Sequence, residues 1–340
     1  MLNRNLKVPT GNICTITGEL NKELEFVSIG DYGKNANIKA NFLGITKELN
    51  GVPNGDILPL SDKWVITIST QYGCSMNCKF CDVPKVGPGI NATYSDMTKQ
   101  IYAALSLHPE ITETNRLNIH FARMGEPTWN RHVLDVALDL LCIAYNKKLN
   151  AKTIHPVVST MMPMYNNKLM RFITKWANMK NIAFKGEAGL QFSINSTNEQ
   201  QRIDMFSGKA ISLANIAYLG ERLPIPIGRK YTLNFALADG YEIDAKLLKS
   251  LFNPNHFMVK ITPLHRTNSC LDNNIITTGG MDNFVPYQQV EKDLINEGFD
   301  VIIFVPSYDE DNGLITCGNA ILSGKLPSCE YRDLNNKETD

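Results

Sequence analysis

The segment Cys74–Cys81 reads CSMNCKFC, which places three cysteines in eight residues with the spacing C-x3-C-x2-C. An odd number of cysteines this closely spaced does not form a disulfide framework. Thiolate sulfur is the soft ligand that iron–sulfur clusters and zinc select, and closely spaced cysteines on a loop are a common way to hold them. The segment therefore predicts a metal centre held by Cys74, Cys78 and Cys81.

A fourth cysteine is missing from the neighbourhood of this segment. Three thiolates on a [4Fe–4S] cluster leave one iron open to an exogenous ligand, so the missing cysteine fits a cluster that binds a cofactor. The alternatives are a three-cysteine zinc site completed by a distant histidine, or plain buried thiols. Zinc sites usually pair their cysteines two and two, so the spacing favours the cluster.

Composition limits the class of protein. The chain has 340 residues, of which 43% are hydrophobic, enough for one large α/β domain with a small appendage. Lys plus Arg and Asp plus Glu number 34 each, so no global charge indicates nucleic-acid binding, although a local basic patch fits within a neutral total. The sequence gives no indication of an oligomeric state.

The remaining cysteines and the apolar runs bear on location. No signal peptide is recognisable, and no apolar run approaches the roughly 20 residues that span a bilayer. We therefore expect a cytoplasmic protein without a membrane anchor, where the reducing pool keeps thiols free. The other five cysteines are scattered and form no second cluster motif; they are Cys14, Cys142, Cys270, Cys317 and Cys329.

The pattern of strands and helices predicts three parts. Residues 1–60 have short strands and turns, with a strand at 38–43 and turns at 30–33 and 53–56, and form a small β-rich N-terminal domain. In residues 61–306 apolar strands alternate with helical segments, which indicates a parallel sheet. Residues 307–340 form a C-terminal loop and tail that carries Cys317.

The second part is predicted in detail, and catalytic groups are expected just after its strands, at their carboxyl ends. In the first part, strands are also predicted at 13–17 and 24–29. In the second part, strands are predicted at 64–70, 117–121, 153–159, 188–194, 231–237, 258–263 and 301–305. Helices are predicted from 95 onward and at 132–145, 168–178, 212–220, 244–251 and 286–297.

The cysteine segment resembles the signature of the radical S-adenosylmethionine (SAM) superfamily, C-x3-C-x-aromatic-C, with Phe80 in the aromatic position. The resemblance implies a partial (βα)6 barrel, a [4Fe–4S] cluster and SAM as cofactors, and reductive cleavage of SAM to a 5′-deoxyadenosyl radical. It also implies an electron donor, flavodoxin or ferredoxin, because the chain has no flavin motif or second cluster of its own.

Further segments narrow the resemblance to the RlmN/Cfr family of radical SAM RNA adenine methylases. It implies that Gly125, Glu126 and Pro127 hold the amino group of SAM, and that Ser159 and Ser193 contact its methionine and ribose parts. A turn and two helix caps are the alternative roles of these residues. The segments lie in the family's order at 71–74, 124–127, 159–160, 193–202 and 316–318.

Cys317 matches the C-terminal cysteine of this family. The resemblance implies that it receives a methyl group from one SAM, and that a radical made from a second SAM converts this methyl group into the carbon donor to adenine. Chemically this is covalent catalysis through a thiolate, which is a good nucleophile toward a sulfonium methyl. The alternative is a structural thiol, the usual role of a lone cysteine.

Some positions depart from the family pattern. Thr67 stands where family members carry a second cysteine that resolves the covalent adduct, and Cys14 or Cys270 are candidates to replace it. His265 and Asn195 stand where the family has an asparagine and a histidine near the cofactor, and we expect both to line the cofactor site. The family's helical RNA-binding domain is not recognisable in residues 1–60.

Three functions remain open at this point. The first is methylation of adenine in RNA, with Arg123, Trp129 and Arg131 as possible stacking and phosphate contacts or, alternatively, a solvated helix start. The second is modification of a small molecule, nucleotide or peptide, which the neutral charge and Thr67 favour. The third is a non-catalytic iron–sulfur sensor.

Overall fold

The structure is a computed structural model that describes residues 2–30 and 58–335. The predicted strand at 38–43 and the predicted turn at 53–56 lie outside the described residues, as does the turn at 30–33 except for Gly30. Both predicted N-terminal strands are present, with a third strand before them, so this part of the chain is β-rich as expected.

The described residues contain a central sheet and two small strand pairs, β5 with β6 and β7 with β9. The strands are β1 (Leu2–Val8), β2 (Gly11–Thr17), β3 (Glu23–Gly30), β4 (Trp64–Thr67), β5 (Gln71–Gly73), β6 (Pro88–Asn91), β7 (Glu113–Thr114), β8 (Leu117–Phe121), β9 (Asn150–Ala151), β10 (Ile154–Thr160), β11 (Gly189–Ser193), β12 (Tyr231–Leu237), β13 (Phe257–Pro263), β14 (Val301–Ile303) and β15 (Arg332–Asp333).

The helices follow the parallel strands, as expected for βα units. They are α1 (Tyr94–Ser106), α2 (His132–Leu138), α3 (Leu140–Asn146), α4 (Leu169–Ile182), α5 (Glu199–Met205), α6 (Leu213–Gly220), α7 (Ala245–Leu251), α8 (Asn268–Asp272), α9 (Val285–Asn296) and α10 (Tyr308–Asn312). Short 3-10 turns lie at Val83–Lys85, Pro127–Trp129 and Ile321–Ser323.

The central sheet has 11 strands among the described residues, in the order β14-β13-β12-β11-β10-β8-β4-β3-β2-β1-β15. From β4 to β14 every pair is parallel, which confirms the prediction of an α/β fold. Strands β14 and β15 lie at the two edges, so pairing among the described strands leaves the sheet open. The closed curvature of a partial (βα)6 barrel therefore stays a prediction.

The N-terminal strands extend this same sheet. Strand β3 pairs antiparallel with β4, with Gly30 opposite Trp64. Strand β1 pairs with β15 near the other end of the chain, with Leu6 opposite Asp333. Residues near both ends of the described chain therefore pair with each other at the edge of the sheet, three strands or more from β4. The division into domains at residue 60 remains a prediction.

Strand β8 illustrates how the sheet is packed. Leu117, Ile119 and Phe121 are buried, and the ring of Phe121 meets Trp176 of α4 edge to face at 5.9 Å. Side chains alternate across a strand, so His120 points to the opposite face, away from the helices. Truncating a buried aromatic ring of this kind costs about 3–5 kcal/mol of folding free energy. This layer fixes the strand ends on which the polar groups stand.

The helices in residues 2–30 and 58–335 give no candidate membrane span, because none combines sufficient length with sufficient apolar character.

Candidate active site

The cysteine loop leaves the sheet after β4, at the carboxyl end of that strand, and is enclosed by the hairpin of β5 and β6. Cys78 is buried, while Cys74 and Cys81 are partly buried, and all are free thiols. The backbone N–H of Cys74 donates to the carbonyl of Gly87 at 3.1 Å. The structure thus gathers the predicted ligands on one anchored loop, where the sequence placed them.

The surroundings of these thiols disfavour free thiolates. Burial raises the pKa of Cys74 to about 11. Burial, followed by the charges of Cys81 and Cys74, raises the pKa of Cys78 well above its usual value. Burial and the charge of Cys74 act in the same direction on the pKa of Cys81. The three sulfurs therefore lie within electrostatic range of each other in a dehydrated region, where thiolates need a cationic metal centre to be stable.

In the described part of the chain no group of three His, Cys, Asp or Glu side chains is arranged around a single metal ion. The ligands of a polynuclear cluster each bind a different iron and stand farther apart than the ligands of one ion. A [4Fe–4S] cluster held by Cys74, Cys78 and Cys81 stays a prediction from the sequence.

Glu126 follows β8 and is almost completely buried. Its Oε1 accepts hydrogen bonds from Thr128 Oγ1 and Thr160 Oγ1, both at 2.7 Å, and its Oε2 accepts one from Met161 N at 2.8 Å. Burial raises the pKa of Glu126, and these hydrogen bonds act against the rise. The carboxylate is fixed at the strand end, and among the described residues Oε2 accepts a single hydrogen bond, the one from Met161 N.

Gly125 and Pro127 shape the turn around this carboxylate. Gly125 has φ +96°, and a Cβ there would lie 2.5 Å from Cβ and 2.9 Å from N of Gln71. Gln71 belongs to β5, and its Oε1 accepts from Glu126 N at 2.9 Å. Pro127 begins the 3-10 turn that contains Thr128. The turn therefore holds the backbone of Glu126 against the hairpin that encloses the cysteines.

The two predicted serines lie on neighbouring parallel strands. Ser159 on β10 donates to Gln191 Oε1 on β11 at 3.2 Å. Ser193 is the last residue of β11, is partly buried, and makes no side-chain hydrogen bond to a described residue. Ser159 is the penultimate residue of β10 and Ser193 the last residue of β11, and neither is a helix cap. Their contact with SAM remains a prediction.

Asn195 and His265 have protein partners in the structure. Asn195 has φ +60°, and its Oδ1 accepts from Ala236 N at 3.0 Å. It therefore fixes the loop after β11 against β12. His265 follows β13, and its Nδ1 lies 3.2 Å from Asp311 Oδ1. A cofactor role for these two residues stays a prediction, and their observed contacts position loops.

Cys317 lies beside the cysteine loop. The backbone N–H of Asp82, the residue after Cys81, donates to the carbonyl of Gly318 at 2.8 Å. A Cβ on Gly318 would lie 3.5 Å from the carbonyl oxygen of Phe80, and Gly318 has φ +88°. The Cys317 thiolate is close enough to raise the pKa of Cys81. Cys317 itself is exposed, so the structure excludes a buried structural thiol.

Asp82 anchors this junction. Its buried carboxylate accepts from Ser269 N at 2.8 Å, Ser269 Oγ at 2.7 Å and Asn268 N at 2.9 Å. Burial acts to raise the pKa of Asp82, but the hydrogen bonds from Ser269 and Asn268 hold it below its usual value. Asp82 thus ties helix α8, the cysteine loop and the Cys317 segment together.

A buried ion pair holds the same segment from the other side. Arg123 Nε donates to Glu25 Oε1 at 2.8 Å, and Arg123 also donates to the carbonyls of Leu314 at 2.8 Å and Thr316 at 3.2 Å. Arg123 is 3% exposed. The prediction that Arg123 contacts RNA is therefore wrong, because its guanidinium is buried and bonds to groups inside the protein.

The candidate replacements for the resolving cysteine differ in position. Cys14 is buried in the N-terminal strands, and its thiol bonds to Asn5 Oδ1 at 3.3 Å. Cys270 is also buried, but its thiol bonds to the carbonyl of Phe80 at 3.4 Å, inside the cysteine loop. Thr67 lies opposite His120 in the β4–β8 register. Of the two cysteines, only Cys270 is at the site.

Sequence reasoning missed the anchoring carboxylates Glu25 and Asp82. Glu25 stands in a run of apolar residues, Leu24–Ile29, in which every other side chain except Ser28 is hydrophobic. A charge in such a strand indicates a buried partner, because an isolated buried carboxylate is costly. The sequence therefore indicates that Glu25 has a buried partner, but it does not identify that partner as Arg123.

A solved structure shares this fold. The crystal structure of a radical SAM methyltransferase from Sphaerobacter thermophilus matches with a TM-score of 0.63 and 18% sequence identity, over 94% of this chain and 80% of that one. At this identity the match establishes the fold.

Curated relatives confirm the narrower resemblance predicted from the motifs. The dual-specificity RNA methyltransferase RlmN of Anaeromyxobacter sp. (strain Fw109-5) is 26% identical over 188 residues, 54% of this chain and 46% of that protein. The probable RlmN of Bacteroides thetaiotaomicron is 28% identical over 185 residues, 54% of this chain and 48% of that protein. The chain thus matches about half the length of these relatives. No family model matches the chain.

Proposed function

We propose that this chain is a radical SAM methyltransferase that acts on adenine in RNA through a methylated Cys317. The observation that supports this most is the hydrogen bond from Asp82 N to the carbonyl of Gly318, which sets an exposed thiol beside the cysteine loop. A free, exposed cysteine held there by buried anchors on two sides is arranged for chemistry. The RlmN relatives support the RNA substrate.

Each side chain has a distinct part in this proposal. Cys74, Cys78 and Cys81 hold a [4Fe–4S] cluster, which supplies the electron for reductive cleavage of SAM. Glu126 receives the ammonium group of SAM at Oε2 through a charge-assisted hydrogen bond. Ser193, which has no side-chain partner among the described residues, is available to a second polar group of the cofactor. An external flavodoxin or ferredoxin delivers the electron.

The methyl transfer to Cys317 is an ordinary nucleophilic displacement. The Cys317 thiolate attacks the sulfonium methyl carbon, a new S–CH₃ bond forms, and S-adenosylhomocysteine leaves with the electron pair of the broken bond. The thiol proton goes to solvent, because Cys317 is exposed. The methylated side chain stays next to the cysteine loop, since the backbone of Gly318 is fixed to Asp82.

The test is anaerobic reconstitution of the protein with iron and sulfide, followed by SAM, dithionite and bulk RNA. We expect a methyl group on Cys317, with S-adenosylhomocysteine and 5′-deoxyadenosine in solution, and methyladenosine in digested RNA. Cys317→Ala removes the methyl acceptor but leaves the cluster. Cys142→Ala is the matched control, because Cys142 is also an exposed free cysteine and lies away from the site on α3.

The outcomes separate the remaining functions. Methyladenosine formed by Cys317→Ala at the wild-type rate would refute the methyl-carrier role. Production of 5′-deoxyadenosine with unmodified Cys317 and unmodified RNA would redirect the search to a small molecule or peptide. Absence of 5′-deoxyadenosine from a cluster-loaded sample would leave a non-catalytic iron–sulfur protein.

A further inference from the structure

A basic groove lies on the outer wall of the protein beside the Glu126 turn. It has a volume of about 960 Å³ and runs between α2, α4 and the end of β6. Thr128 belongs to both places, because it lines the groove and donates its hydroxyl to Glu126. Asn166 in the groove wall donates to the carbonyl of Thr128 at 2.9 Å. The groove therefore begins at the rim of the candidate active site.

The charge of this groove is strongly one-sided. Arg131, Lys168, Arg171 and Lys175 line it and are exposed. None of these four side chains forms an ion pair with a described residue. Among the described residues that line the groove, Asp135 is the only carboxylate, and it lies 3.3 Å from His132 Nδ1. Although the protein as a whole is neutral, this groove carries four positive charges that are not paired with a described carboxylate.

Three of these cations form a row along the start of α4. Lys168 is the N-cap of the helix, and Arg171 and Lys175 follow at spacings of three and four residues, which puts them on one face. Ile173 and Ala177, on the other side of the helix, are buried in the core. Like charges at this spacing destabilise a helix, so the row opposes folding unless an anion lies over it. Single cations scattered on a surface would not give such a row.

Trp129 adds a second feature to the groove. Its ring lines the groove wall, and its indole Nε1 is buried without a hydrogen-bond partner among the described residues. A buried N–H donor usually has an acceptor. An aromatic face next to a row of cations is the combination with which proteins bind single-stranded nucleic acid, through base stacking and phosphate contacts.

We propose that this groove binds the phosphodiester backbone of the RNA substrate and leads the strand to the rim at Glu126. This inference rests on the proposed function. The cations of α4 contact successive phosphates, and Arg131 and Trp129 hold the nucleotide nearest to the active site.

The test is fluorescence anisotropy with a fluorescein-labelled single-stranded RNA of about a dozen nucleotides at several salt concentrations. The slope of log K against log salt is negative, and each phosphate contact makes it steeper by about 0.7. Replacing Arg131, Lys168, Arg171 and Lys175 by Gln should make the slope shallower by about 3 and weaken binding at low salt at least roughly 50-fold. Each single replacement should make the slope shallower by about 0.7.

The matched control removes the same charge elsewhere. Lys22, Lys246, Lys249 and Lys292 are exposed, form no ion pair with a described residue, and lie outside the groove. Their replacement by Gln should leave RNA affinity within about twofold of wild type. Equal loss in both quadruple variants, or no loss in the groove variant, would overturn the proposal. Circular dichroism verifies that both variants are folded.

Two further outcomes separate this proposal from the others. Displacement of the RNA by an acidic peptide of equal charge, at equal concentration, would overturn the assignment of the groove to RNA. Methylation of Cys317 needs SAM but no RNA, so it reports on the proposed function alone. Groove-dependent RNA binding with an unmodified Cys317 would retain the groove and refute the carrier mechanism. A methylated Cys317 in a wild-type protein that binds no RNA would retain the carrier mechanism and refute the groove.

Discussion

Arg123 Nε donates to Glu25 Oε1 across 2.8 Å, and the two side chains are 1% and 0% exposed. The pair joins strand β3 to the residues that lead to Glu126, although its members are 98 positions apart in sequence. The other donors of Arg123 hold the carbonyls of Leu314 and Thr316, and Glu25 Oε2 accepts from Leu322 N at 3.1 Å. One ion pair therefore fixes both sides of the Cys317 segment.

Glu25→Ala should destabilise the protein by about 3–5 kcal/mol, because it leaves the Arg123 guanidinium buried without its counter-charge. Urea unfolding measures the change in the free energy of unfolding. The rate of Cys317 alkylation should rise in the same variant, since the segment loses its anchor at Leu322. Glu23→Ala on the same strand is the control and should cost roughly 1 kcal/mol, the value of its side-chain hydrogen bonds. Equal costs for both variants would contradict this account.

Asp82→Ala should lower the iron content after anaerobic reconstitution and cost about 1–3 kcal/mol of stability. The loss follows from unsatisfied donors at Asn268 and Ser269 and from a loosened cysteine loop. Lys85 Nζ lies 3.1 Å from Asp82 Oδ1 and 3.3 Å from Asp272 Oδ2, and Asp272 is exposed, so Asp272→Ala is the matched control. An Asp82 variant with full iron content would show that the loop keeps its geometry without this anchor.

Gly125→Ala should abolish SAM binding and destabilise the protein by about 1–3 kcal/mol, through strain at positive φ and the clash with Gln71. Isothermal titration of the cluster-loaded protein with SAM checks the first effect. Gly240→Ala separates strain from clash, because Gly240 has φ +78° and a Cβ there meets nothing within 4 Å. SAM affinity should be unchanged in the Gly240 variant. Equal SAM binding by both variants would rule out the proposed shape of this turn.

Glu310 predicts a specific pH dependence. Burial raises the pKa of its carboxyl from the ordinary value of about 4.5 to about 7. A raised carboxyl pKa means that the folded state binds the proton more tightly, so this group stabilises the fold below about pH 4.5 and the contribution is lost as the pH rises to about 7.

Glu310→Gln should therefore stabilise the protein at about pH 8 by about 1–3 kcal/mol relative to wild type, and much less at about pH 5. Gln keeps the hydrogen bond that Glu310 Oε2 accepts from Ser307 N in the capping box. Urea midpoints measured across this pH range check the prediction. A constant difference between the two proteins at all pH values would refute it.

The sequence predicted the parallel strands well because each is a run of β-branched and apolar residues between turns. Strand β4 ends at Thr67 rather than at 70, because Ser69 and Thr70 bond to Gln100 and Met124 instead of a strand partner. The predicted helix at 132–145 is divided at Asp139, whose carboxylate accepts from Tyr94 at 2.8 Å. Both differences occur where residues contact other elements, and the local sequence pattern does not contain those contacts.

The site was predictable where a motif marks it and not where distant segments meet. Cys74, Cys78, Cys81 and Glu126 carry recognisable spacing, and the structure brings them to adjoining loops. The anchoring of Cys317 depends on Glu25 and on other residues far along the chain, so no local signal could reveal it. Arg123 illustrates the limit, since an arginine beside a strand end suggests a ligand contact until its buried partner is known.

The pairing of β1 with β15 has a consequence for the order of events during synthesis. Leu6 leaves the ribosome early, whereas its partner Asp333 emerges only after nearly the whole chain has been translated. Contacts of such long sequence separation form late, because closing the intervening loop costs entropy before it brings any gain. The segment around Cys317 lies between these partners and takes its position in that last stage. A nascent chain thus has the residues of the cysteine loop early, and the segment that holds Cys317 becomes ordered against that loop only late in synthesis.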